Sequence, residues 1–147
     1  MVWPDPAAVA KAIDTSGKML EVIIQINKKV IELAQNDPKV IVDRLKGYNG
    51  IADYVLLDKS MGQGHGMDAY GLIPFARAIR DAFPDLGIVA AGGLGPDSMD
   101  LVAPLAAEFP DISIDAQGKL RPSGSALDPV DWNRAEMYLV RAFTLLQ

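Results

Sequence analysis

The heptapeptide ADYVLLD, residues 52–58, has an apolar centre, ends in a carboxylate and runs directly into KSMGQGHG, residues 59–66. A short apolar run bounded by turn residues reads as a strand, and a near-continuous one reads as a strand buried on both faces. Three more runs share this character: MLEVIIQI at 19–26, LGIVAA at 86–91 and DISI at 111–114. Four such runs at wide spacing predict four strands joined by long connections, not hairpins.

The connections carry helical patterns. Residues 5–13 place apolar residues at helical spacing after a proline-rich start. Asp37-Pro38 opens a helix expected to reach Lys46, with Gly47 as the residue that ends it. A third helix starts at Asp68 or Ala69 and runs to about Phe83, where Pro84-Asp85 stops it. Pro74 lies inside it, which predicts a late start or a kink. Gly95-Pro96-Asp97-Ser98 begins a fourth, ending near Phe109-Pro110. The last spans about 129–146, with Asp128 as its N-cap and Val130, Met137, Val140 and Leu145 among its apolar positions. One helix followed by four strand–helix units is the pattern of an α/β fold with a parallel sheet and right-handed crossovers. Residues 1–147 read as one domain. A four-stranded parallel sheet has two free edges and needs cover. Helices on both faces would supply it, and so would pairing with a second copy.

Composition narrows the function classes. Half of the residues are hydrophobic and 22% are charged, so the chain has material for a core. The net charge of −5 and the scattered Lys and Arg argue against nucleic acid as a partner. Lys28-Lys29 is an adjacent basic pair that fits a solvated helix start. With no Cys, disulfides, thiolate-held metals and thiol catalysis are excluded. A single His is too few for a histidine metal site, although carboxylates still suit a hard cation. No metal and no cofactor is expected. No run is long enough to span a bilayer, and no signal-peptide pattern opens the sequence, so no membrane partner and a cytoplasmic location are expected.

In parallel α/β folds ligands bind at the carboxyl ends of the strands. Those ends carry Gln25 and Asn27, then Asp58 with Lys59, Ser60 and the glycine-rich loop holding His65, then Gly92-Gly93-Leu94-Gly95, then Asp115 with Lys119 and Arg121 nearby. A carboxylate such as Asp58, partly desolvated at a strand end, suits general acid–base work, and an N-cap or solvated end is the plainer alternative. The turn of Gly92, Gly93 and Gly95 lies just before a helix start and suits an anion, or it is simply a tight turn.

These residues carry a family resemblance. YVLLDKSMGQGHGMD, residues 54–68, resembles the sixth strand and loop of phosphoribosylanthranilate isomerase, a (β/α)₈ or TIM barrel. IVAAGGLGPDSM, residues 88–99, is similar to its seventh strand and helix start. DISIDAQG, residues 111–118, falls at the eighth strand, and the helix from Asp131 at the eighth helix. VWPDPAAV, residues 2–9, is similar to the entry into the fourth helix. The resemblance therefore implies a (β/α)₄ half-barrel, units 5–8 of that barrel preceded by one helix. The family converts an aminoaldose phosphate to an aminoketose in tryptophan biosynthesis. By resemblance, Asp58 stands where the family has its general acid, and Gly92 and Gly93 where backbone binds phosphate.

Three departures limit what is implied. The family's general base is a Cys on the first strand, and this sequence has neither. A Ser-Gly pair that helps hold phosphate is replaced by Ile114 and Asp115, and a carboxylate beside a phosphate is unfavourable unless a cation intervenes. The family's first three strands have no counterpart here. The expectation is an isomerase-like protein that binds a small phosphorylated or carboxylate metabolite, with Gln25, Asp58, His65, Gly92, Gly93, Gly95 and Asp115 at the site and no complete isomerase activity. The alternatives are a non-catalytic homo-oligomer in which a second copy completes the barrel, and a piece of a longer barrel isomerase.

Overall fold

A computed structural model describes residues 3–59 and 66–146. Helix α1 (Pro6–Ser16) precedes strand β1 (Ile23–Asn27). Helices α2 (Lys28–Leu33) and α3 (Pro38–Leu45) lead to β2 (Tyr54–Asp58), then α4 (Ala69–Ala82) and β3 (Gly87–Ala91). A 3₁₀ segment (Pro96–Val102) continues into α5 (Ala103–Glu108), followed by β4 (Ser113–Ile114) and α6 (Trp132–Leu145). The four strands form one sheet in the order β1-β2-β3-β4, and every pairing is parallel. The fold is thus an α/β chain of four sequential strand–helix units after one helix, the arrangement of a parallel half-barrel.

The sheet is covered on one face. Ile24 and Ile26, Val55 and Leu57, Ile88 and Ala90 stand in matching rows and are buried in one cluster with Ile41, Leu45, Leu72, Phe75, Ile79, Leu105 and Tyr138 from the helices. The intervening residues point the other way. There Ile23 and Gln25 are exposed, and Tyr54 and Leu56 are half-buried. Val89 and Ala91 of β3 are buried but lie outside the main cluster. The expectation of burial on both faces therefore holds for β3 and fails for β1 and β2. A continuous apolar run has no period of two to say which side the helices take.

Four local expectations are corrected. The first strand begins at Ile23, and Met19 and Leu20 are exposed ahead of it. Helix α4 starts at Ala69 and runs through Pro74. Leu72, Phe75, Ala76 and Ile79 are all buried on it, and that burial outweighs the proline penalty of about 3 kcal/mol. Gly47 does not end α3. The chain tightens into a 3₁₀ turn (Lys46–Tyr48), and Gly50, at φ 75°, takes the left-handed position. Asp131, not Asp128, caps α6, accepting from the Asn133 and Arg134 amides. Asp128 instead accepts from Ser123 within the preceding loop.

Helix α1 is pinned at its start. Trp3 packs edge-on against Tyr48 with ring centres 5.7 Å apart. Its Nε1 donates to the Gln25 carbonyl at 3.1 Å, on the outermost strand of the sheet. The Tyr48 hydroxyl donates to the Pro4 carbonyl, and burial pushes its pKa upward.

Candidate functional site

Register brings the expected residues to one rim. Asn27, Asp58 and Ala91 are mutual partners at the ends of β1, β2 and β3. Gly92 and Gly93 follow Ala91 directly. Asp115 leaves β4 at the same level, its amide donating to the Ala90 carbonyl at 2.9 Å. Strands about 4.8 Å apart place the Asp58 and Asp115 backbones about 10 Å from each other, with the glycine turn between them.

Gln25 lies one step below the rim, in the row of Leu56, Val89 and Ser113. Its Nε2 donates to Asp58 Oδ2 at 3.5 Å, the outer limit of a hydrogen bond. Asp58 is half-buried. Asn27 is committed elsewhere: its Oδ1 accepts from the Val30 amide and caps α2. His65 lies outside the described residues.

The glycine turn has a conformational reason. Gly92 has φ 129° and Gly93 φ 67°, both in the region that side chains disfavour. Gly95 is extended and is a glycine for space, because a Cβ there would overlap the Cβ of Lys119. Ser98 ties the turn back into the fold. Its hydroxyl donates to the Gly93 carbonyl at 2.8 Å and its amide to the Gly95 carbonyl at 3.1 Å. Two carbonyls of the turn are thus already bonded within the fold.

Around the turn stand charges that the sequence did not connect. Arg134 Nε on α6 donates to the Lys119 carbonyl at 2.7 Å, and its Nη2 reaches Asp97 Oδ2 at 3.3 Å. This joins the loop after β4 to the segment after β3. Lys59 Nζ pairs with Asp68 Oδ2 at 2.7 Å, while Asp68 also accepts from the Gly71 amide. The Lys59 ammonium and that amide hold the Asp68 carboxyl below its usual range. This pair ties the end of β2 to the start of α4. Tyr138 on α6 is buried, and its hydroxyl has no hydrogen-bond partner among the described residues. Burial first, and the charge of Asp115 second, push its pKa up to about 12.

Comparison with protein-family models, with curated proteins and with solved structures finds no match. Function rests on the site alone. Among the described residues no helix is long and apolar enough to cross a membrane, and no group of three or more His, Asp or Glu is placed to hold a metal. A cavity of about 640 Å³ opens at the opposite end of the sheet, lined by Glu21, Asp53, Tyr54, Asp85, Leu86 and Gly87 among others. None of the expected rim residues lines it.

The rim offers a carboxylate braced by an amide, a backbone turn suited to an anion, and a second carboxylate across from the first. Proton donation to a ligand held at the turn is within its means.

Proposed function

We propose that this chain is a phosphoribosylanthranilate isomerase-like half-barrel that binds a small anionic metabolite, phosphorylated or carboxylate-bearing, across the rim of its sheet. Gly92, Gly93 and Gly95 take the anionic group through backbone amides. Asp58, with Gln25 beside it, faces the uncharged part of the ligand, and Asp115 bounds the far side. On this reading the chain works in the cytoplasm and does not isomerise an aminoaldose phosphate by itself. Isomerisation needs an acid and a base on opposite sides of the reacting carbons, and the cysteine that serves the family as base has no counterpart in this sequence.

The single observation carrying the proposal is the common row of Asp58, the Gly92-Gly93 turn and Asp115 at the ends of three adjacent parallel strands. The test is a thermal-shift titration with inorganic phosphate and a panel of phosphorylated sugars and sugar acids. A ligand at 100 times its Kd stabilises by about 2.7 kcal/mol. The expected result is a rise in Tm for at least one compound, weakened by Asp58→Ala and abolished by Gly93→Asp. No response across the panel sinks the binding claim. Turnover of phosphoribosylanthranilate above background, lost in Asp58→Asn, would show the isomerase machinery to be complete.

A second reading is a non-catalytic module whose barrel is completed by a second copy. The uncovered sheet face favours it. Trp3 opposes it, because closure would pair a strand with β1 where Trp3 already holds the Gln25 carbonyl.

A further inference from the structure

Helix α6 has two apolar faces, and the fold uses one. Tyr138 and Ala142 are buried against the core. On the other side Trp132, Leu139 and Phe143 follow at i, i+7 and i+11, which stacks them along one line of a helix turning 100° per residue. They are 79%, 53% and 69% exposed. Val140 and Met137 widen the stripe at 60% and 52%. No such pattern is needed for solubility, and it contradicts the usual polar outer face of a surface helix.

The size of the patch argues for a protein partner. Aromatic side chains carry about 150–250 Å² each, so these five exposures sum to on the order of 600 Å². A monomer's largest apolar patch is about 300–600 Å² and is often functional. A standard interface takes about 800 Å² from each partner. The stripe and its margins therefore come close to half of such an interface.

We propose that this face of α6 is a two-fold interface with a second copy of the same chain, the two α6 helices packing antiparallel near Leu139 and Val140. The charge pattern selects that occupant. Glu136 lies within the stripe, one turn from both Trp132 and Val140, and the exposed Arg141 flanks it one turn from Met137; with one acid and one base, the patch attracts no strongly basic or acidic partner. For a chain of net charge −5, a face whose one acid and one base balance is where self-association costs least. A parallel pair would set the two Glu136 carboxylates side by side. The antiparallel pair separates them along the axis by about 10 Å at 1.5 Å per residue, and it opposes the helix dipoles favourably. The proposal does not depend on the ligand proposed at the strand-end rim.

The test begins with sedimentation equilibrium of the full chain between about 1 and 100 μM. The expected species has twice the 15.8 kDa chain mass, and Phe143→Asp and Leu139→Arg convert it to monomer with Tm unchanged within a few degrees. Ile23→Asp, on the open sheet face, should leave the dimer intact. Because the chain has no native Cys, Val140→Cys gives a clean second readout. It should form a disulfide-linked dimer on mild oxidation, whereas Thr15→Cys on α1 should not. A monomeric wild type overturns the proposal. So does a dimer that survives Phe143→Asp but is lost in Ile23→Asp, which would move the interface to the sheet face.

Discussion

The two faces of the sheet are made from the same strands and behave oppositely. On the helix side, Ile26, Val55 and Leu57 are fully buried against α2 to α6 and form the stabilising core. On the other side, one residue along each strand, Gln25, Leu56, Val89 and Ser113 form a row in which Val89 alone of the four is buried, and which leads up to Asn27, Asp58, Ala91 and Asp115. Parallel sheets ordinarily have both faces covered. Here one face holds the fold together and the other leaves an apolar floor under a polar rim. The candidate site residues are therefore carried by strands whose other face is packed into the core.

The largest expected effect tests that division on neighbouring residues. Leu57→Ala should cost about 2–5 kcal/mol in chemical denaturation, the usual range for a buried leucine. Leu56→Ala, one residue away, should cost less than about 1 kcal/mol. Equal losses would mean that the open face is covered in solution and would break the comparison.

The next effect concerns Tyr138, which lies on the covered side with Asp115 of the open rim acting on it. Its folded pKa of about 12 exceeds the unfolded value near 10. The neutral phenol is favoured in the native state, so this contribution is fully present below pH 10 and is lost as pH rises from 10 towards 12. At 1.36 kcal/mol per pKa unit it amounts to about 2–3 kcal/mol. Stability profiles of wild type and Tyr138→Phe should run parallel below pH 10 and separate between pH 10 and 12, and an equal alkaline loss in both would show that Tyr138 is not the titrating group. The variant should show a shallower alkaline decline. It should also be no less stable at pH 7, because the lost hydroxyl had no partner.

The smallest effect belongs to the ion pair of Lys59 and Asp68. Asp68 is lowered in the native state, so its contribution is present above the unfolded pKa near 3.9 and disappears as pH falls below about 4. The Asp68 side chain is 53% exposed, and solvent screening leaves such a pair a few tenths of a kcal/mol. Asp68→Asn should therefore barely change stability at pH 7 and slightly flatten the acid limb in urea titrations. A loss above about 2 kcal/mol would place this pair with the core rather than with the rim.

Much of the architecture could be read before any coordinates. ADYVLLD at 52–58 reads as a strand and forms one over Tyr54–Asp58, and the parallel order follows from helical patterns between the runs. Gly92 and Gly93 are adjacent glycines at a strand end, and both adopt positive φ. Lys28-Lys29 does open a helix. Other features depended on distant partners. Asn27 reads as a rim group until Val30 claims it as a cap. Ser98 reaches the Gly93 carbonyl from 5 positions away, and Arg134 reaches Lys119 and Asp97 from 15 and 37, and no local pattern announces either. Pro74 reads as a break because propensity cannot weigh the burial of Leu72, Phe75 and Ile79 around it.

By itself the amino-acid sequence determined the order of elements, the direction of the strands and the residues at their ends, because hydrophobic period, caps and glycine turns act within a few residues. Tertiary structure decided which face of the sheet the helices cover, that α6 keeps an apolar stripe outside, and which polar groups are spent on holding the fold. Those outcomes depend on how surfaces meet in space. A strand apolar on both sides, or a helix apolar on two, carries no local signal for which side will be buried.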